Sequence, residues 1–181
     1  MLLSAGSTAI PGWTVINGGL AWDGPTNPYG LTASDGSYFL DLTGDHDNPP
    51  YAGVGQSQTI ATTIGAVYQL SFDLGTDPTY DTEPVGIQVT AGSVQQETFM
   101  SGSTPPESHN QWQTFTVDFT ATSANTSLSL VGVVESETNP DQEYIGLDNV
   151  LVDEVPEPGT LTLIVGPGLL AIAAWRGLRK A

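Results

Sequence analysis

The chain has 181 residues, with 20 Asp and Glu against 3 Lys and Arg, no Cys, and a formal net charge of −17 with His neutral. Without cysteine there is no disulfide framework, no zinc–thiolate site and no cysteine nucleophile. All three basic residues, Arg176, Arg179 and Lys180, lie in the last six positions, so the rest of the chain is an unrelieved polyanion. It repels nucleic-acid phosphates and anionic lipid head groups, which excludes nucleic acid as a partner, and it leaves divalent cations as natural counter-charges.

The first residues, Met1-Leu2-Leu3-Ser4-Ala5-Gly6, carry no basic n-region and too short an apolar stretch for a signal peptide. If the body is exported, its signal is expected upstream of Met1. Beyond them, Gly, Pro, Ser, Thr, Asn and Asp recur about every ten residues, with period-2 segments between them. Short strands are predicted at Trp13–Ile16, Tyr38–Leu42 and Gln56–Ile60. The clearest alternation is Val67–Leu74, where Tyr68, Leu70, Phe72 and Leu74 face one way and Gln69, Ser71 and Asp73 the other. Val85–Ala91, Val94–Met100, Gln113–Ala121, Leu128–Val134 and Ile145–Leu151 follow, with Phe115, Val117 and Phe119 inward and Thr114, Thr116 and Asp118 outward on the third of these. No segment up to residue 154 has a helical period. Eight or nine strands at this spacing predict one all-β domain over 1–154, a sandwich of two sheets packed through their alternating apolar faces.

Between the predicted strands lie groups that could carry chemistry. Trp22, Tyr29, Tyr51 and Tyr80 fall in loops beside Asp23, Asn27 and Asp81. Aromatic rings pack on the C–H faces of sugars while polar neighbours bond the hydroxyls, so these four are candidate glycan-binding residues; local packing of long loops explains them equally well. Trp13, Tyr38, Tyr68, Phe72, Trp112 and Phe115 sit in strands and are expected in the core. The stretch Asp41-Leu42-Thr43-Gly44-Asp45-His46-Asp47-Asn48 gathers oxygen ligands in one turn, so Asp41, Asp45 and Asp47 are candidate Ca²⁺ ligands, the alternative being a solvated acidic turn. Catalysis has little to draw on. His46 and His109 are the two histidines, no Gly-x-Ser-x-Gly elbow is present, and no carboxylate pair stands out among so many acids. The body is expected to be non-catalytic.

The tail, 155–181, differs in kind. Pro156-Glu157-Pro158 precedes an apolar segment over 160–175 that holds no charge, and Arg176–Ala181 ends the chain with its basic cluster. The uncharged run Leu161–Trp175 spans roughly 23 Å as a helix against a bilayer core of about 30 Å, so snorkelling by Arg176, Arg179 and Lys180 would complete a single transmembrane helix. Trp175 suits the interface, and the basic end is expected in the cytoplasm with the body on the far side. Gly166-Pro167-Gly168 should kink the helix.

The tripeptide, the apolar segment and the terminal basic cluster together resemble the PEP-CTERM sorting signal of exopolysaccharide-producing Gram-negative bacteria. The resemblance implies an exosortase as partner, transient residence in the inner membrane, processing near Pro156, Glu157 and Pro158, and delivery to the cell surface or extracellular matrix. The body carries a second resemblance. Ile10-Pro11-Gly12-Trp13, Asp35-Gly36-Ser37-Tyr38, Leu40-Asp41-Leu42, Gln58-Thr59-Ile60-Ala61-Thr62, Leu70-Ser71-Phe72-Asp73-Leu74, Trp112, Phe115-Thr116-Val117 and Gly146-Leu147-Asp148-Asn149-Val150 are similar to the choice-of-anchor C domain, a galactose-binding-like jelly roll. It implies a carbohydrate-binding body with exopolysaccharide as ligand, and adds Asp148 as a candidate ligand for a structural Ca²⁺. An acidic matrix protein with no discrete site is the alternative, and a glycan hydrolase ranks last. The family's opening Asn-Gly-Ser-Phe-Glu type strand is missing, which predicts an unpaired sheet edge.

Overall fold

The computed structural model describes residues 1–44, 51–56, 59–77, 81, 83–102, 111–135 and 144–156. In chain order the strands are β1 (Leu2–Leu3), β2 (Trp13–Ile16), β3 (Leu20–Asp23), β4 (Phe39–Asp41), β5 (Gly53–Gln56), β6 (Ile60–Ala61), β7 (Val67–Thr76), β8 (Val85–Ala91), β9 (Val94–Met100), β10 (Gln111–Thr120), β11 (Asn125–Thr126), β12 (Leu128–Val134) and β13 (Gly146–Glu154). Six of them form one sheet in the order β1-β3-β4-β13-β7-β10, five form a second in the order β2-β5-β12-β8-β9, and β6 pairs with β11. The strand pairings are antiparallel. The expected all-β sandwich is what forms.

The alternation that marked the strands also builds the core. On β7, Tyr68, Leu70, Phe72 and Leu74 are buried, and β10 sets Phe119, Val117 and Phe115 opposite the first three. Phe72 stacks on Phe115 with ring centroids 5.9 Å apart and meets Phe99 of β9 edge-on at 5.6 Å, so one ring ties the two sheets together. The second sheet contributes Val15, Val54, Val85, Ile87, Val89, Ala91, Leu128 and Leu130 to the same cluster. Each large aliphatic or aromatic side chain buried this way contributes about 1.5–3 kcal/mol. In a body with no Lys or Arg before position 176, apolar burial and backbone pairing are the terms available.

Several expectations need correction. The strand predicted at Gln56–Ile60 is two strands, because β5 pairs with β2 and β12 whereas β6 pairs with β11. The segment holding Trp22 is strand rather than loop: β3 lies between β1 and β4, and its mixed burial hid it from a period-2 reading. Tyr38, expected in the core, is 58% exposed and rests beside Trp22 at 5.7 Å, one residue before β4 begins. The predicted membrane helix over 160–175 lies outside the described residues; among the described residues no helix is long and apolar enough to cross a membrane. Two-residue β1 forms one edge of the larger sheet.

Candidate functional site

The two faces of the six-stranded sheet receive different partners. The inner face meets the second sheet. The outer face carries Thr114, Asp73 and Asp148 in one row across β10, β7 and β13, and Trp112, Gly75, Gly146 and Asp41 in the next, reaching β4. The connection between β3 and β4, residues 24–38, is strapped onto this face. Asn27 organises the strap from within: its Oδ1 accepts from the backbone N–H of Tyr29 and Leu31, and its Nδ2 donates to the carbonyls of Gly24 and Leu31. Leu31 then packs with Phe39 and Tyr144 in a small apolar cluster that Ala33 and Trp112 flank.

Beyond the cluster the strap is held by carboxylates. Asp148 Oδ2 accepts the backbone N–H of Ser34 at 2.9 Å and of Asp35 at 3.0 Å. The Ser34 hydroxyl lies 2.7 Å from Asp73 Oδ2 and 3.2 Å from Asp148 Oδ2. Asp73, 6% exposed, also accepts from Thr114 Oγ1 at 2.6 Å and Asn149 Nδ2 at 3.2 Å. A bulge makes this possible. The β13–β7 register shifts between Asp148 and Leu151, and Asn149 takes a left-handed φ of 50°, which turns its amide toward Asp73. With no guanidinium or ammonium at hand, neutral N–H and O–H donors meet the charge. Asp81 is satisfied likewise, accepting the backbone N–H of Asp77 at 2.7 Å and of Tyr144 at 2.6 Å. Burial pushes the Asp23 carboxyl above its ordinary range, and the α-amino group of Met1 opposes that shift.

At the end of β7 and the start of β10, where the inward rows Leu74–Gln113 and Thr76–Gln111 run past the apolar core toward the end of β9, lies a cleft of about 270 Å³. Leu74, Thr76, Ser101, Gln111, Trp112 and Gln113 line it, with Gly102 at its side. The Trp112 ring lies over two glycines paired across strands. A Cβ on Gly75 would come within 2.8 Å of Trp112 Cζ3, and one on Gly146 within 2.9 Å of Cη2, so neither position accepts a side chain without moving the indole. Trp112 Nε1 donates to the carbonyl of Thr32 on the strap at 2.9 Å, and the ring meets Phe39 edge-on at 5.8 Å. The Ser101 hydroxyl accepts the Val85 N–H at 3.1 Å, which leaves its own proton to donate. Among the described residues the lining thus offers the apolar surface of Leu74 and Trp112, two carboxamides and two hydroxyls, with no ionisable group.

The residues singled out from sequence scatter. Tyr29 is 60% exposed on the strap, and Trp22 is half-buried against Tyr38. Tyr51 is 6% exposed within the main core cluster, so it presents no face to a ligand; its place beside Ala52 and Gly132 is a packing position. Tyr80 lies outside the described residues, as do Asp45, Asp47, Glu157, Pro158, Arg176, Arg179 and Lys180. Of the candidate Ca²⁺ ligands that are described, Asp41 Oδ1 accepts from the N–H and hydroxyl of Thr43, and Asp148 holds the strap. Among the described residues no three His, Cys, Asp or Glu gather as a metal site. Pro156 follows β13 and is exposed. Trp112, expected in the core, borders the cleft while its ring packs on the outer face against the Leu31, Phe39 and Tyr144 cluster. A signal for it was present: Trp112 shares parity with Thr114, Thr116 and Asp118, the polar side of β10, and not with Phe115, Val117 and Phe119.

The chain matches the model of the family described as "Protein of unknown function (DUF642)" over residues 1–152, and so belongs to that family. No curated protein matches it. Among solved structures, a cyclase from Fischerella sp. TAU is 17% identical, with 86% of this chain and 88% of that one covered at a TM-score of 0.52. TmCBM61, solved in complex with β-1,4-galactotriose, is 12% identical over 82% of this chain and 86% of that one, at a TM-score of 0.48. The C-terminal domain of EclA, described as a sugar-binding protein, is 15% identical at a TM-score of 0.41; 55% of this chain is covered, and 64% of that one, which is less than two thirds of its length. At these identities the likeness to the cyclase is one of fold.

Proposed function

We propose that this DUF642 chain is an exported, non-catalytic protein of the bacterial cell surface or matrix, whose β-sandwich binds carbohydrate and whose tail delivers it through an exosortase. The observation that carries the binding half is the Trp112 cleft. Its lining combines the apolar surface of Leu74 and Trp112 with the neutral donors and acceptors of Thr76, Ser101, Gln111 and Gln113, a combination suited to the C–H surface and the hydroxyls of a sugar. The same lining argues for binding over turnover, since among the described residues it offers no acid, base or activated nucleophile. The shared fold does not decide the matter, because one scaffold hosts unrelated functions.

The sorting half rests on sequence alone: Pro156-Glu157-Pro158, an uncharged apolar run, and every base of the chain in its last six residues. Two measurements test the two halves separately. On a glycan array, the full chain is expected to bind, and Gln113→Ala to weaken that binding about tenfold or less while the fold stays intact; an unchanged profile would remove the cleft from the site. Intact mass of protein from native cells is expected to lack the segment after about Pro158, whereas a full-length mass confined to the inner membrane would leave the tail as a plain anchor.

A further inference from the structure

We infer that the cleft takes a single uncharged pyranose ring and discriminates against the same sugar carrying a carboxylate or sulfate. This rests on the carbohydrate-binding reading and narrows it. The first observation is the lining: the polar atoms of Thr76, Ser101, Gln111 and Gln113, with the backbone of Gly102, are neutral donors and acceptors. Such groups bond hydroxyls well and compensate a buried anion poorly.

The second observation is the field around the cleft. No Lys or Arg occurs before Arg176, so no cation of the described body can pair with an acidic sugar. The charges nearest in the chain are negative: Asp77 follows Thr76, and the Asp73 carboxylate is hydrogen-bonded to Thr114, next to Gln113. Both are buried, where screening by salt is weak. An entering carboxylate therefore loses water, gains no counter-charge and meets like charge.

The third observation is size. The cleft holds about 270 Å³, just under the roughly 300–1,000 Å³ of sites that enclose drug-sized ligands. Four polar side chains suit one ring. A chain of sugars would leave its other rings in solvent, so affinity should hardly grow with chain length.

The test is titration of the full chain, followed by ligand-observed NMR, with matched pairs: the methyl glycosides of glucose, galactose and mannose against their uronates, each with and without added NaCl. Expected is a neutral partner bound at least about tenfold tighter, a gap that persists in added NaCl because buried charges are poorly screened, and a trisaccharide of the preferred sugar gaining less than about threefold over its methyl glycoside. Gln113→Lys places a cation at the cleft and should close the gap from the uronate side. A uronate bound as tightly as its neutral partner by the native chain would overturn the inference while leaving carbohydrate binding in place. So would an unchanged ratio in Gln113→Lys, or a trisaccharide bound tenfold tighter. No binding by any of the sugars would overturn both readings.

Discussion

The inner and outer faces of the six-stranded sheet belong to the same strands and follow opposite rules. Leu70, Phe72, Leu74, Val117, Phe119 and Leu147 turn inward and are held by the second sheet through non-directional burial. Asp73, Asp148 and Trp112 turn outward and are held by directed hydrogen bonds to the strap over 24–38, with Thr114 beside them donating to Asp73. The inner face tolerates exchange of one apolar residue for another of similar volume. The outer face needs particular atoms, since a buried carboxylate without a cation is stable only when several donors converge on it. The cleft lies where the inward rows of β7 and β10 turn from apolar to polar, at Thr76, Gln111 and Gln113.

Three substitutions probe that division. The largest effect is expected from Phe72→Ala, which removes the ring shared by Phe115 and Phe99 and should cost about 3–5 kcal/mol. A denaturant midpoint shifted by less than half of that would mean the sheets repack around the gap. Next comes Asp148→Ala, which strips the acceptor from the Ser34 and Asp35 N–H groups and should cost about 1–3 kcal/mol. Its signature is local: faster amide exchange at residues 34 and 35 and earlier proteolysis within 24–38, with the exchange of β8 and β12 little changed. If the core strands loosen equally, the two faces are not separable, and the comparison fails.

The smallest effect belongs to Asp23→Asn. A carboxyl whose pKa burial raises holds its proton more tightly when folded than when unfolded. Its contribution is therefore fully favourable below the ordinary value of 3.8 and is lost as the pH climbs through the raised folded value. The Asn variant should gain thermal stability over the parent at neutral pH and show little or no gain near pH 3. A gain of equal size at both pH values would assign the effect to packing and not to charge.

What could be read from the residues and what could not follows the same line. Alternation at Val67–Leu74, Gln113–Ala121 and Leu128–Val134 was sufficient for strands and a sandwich core, because a half-buried strand must repeat every second residue. β3 escaped because Leu20, Ala21 and Asp23 are all buried, on both sides of the strand, which erases the alternation. Tyr51 went from ligand face to core, and the Trp112 ring packs in a second cluster under the strap and not in the sandwich core, for a related reason: local pattern gives parity, not what lies against each side. Composition alone determined that nothing in the body before Arg176 can form a Lys or Arg ion pair. Only the tertiary structure decided which donors would replace those cations, because Ser34, Asp73, Thr114 and Asp148 are separated by up to 114 positions and meet only once the strap folds back across the sheet.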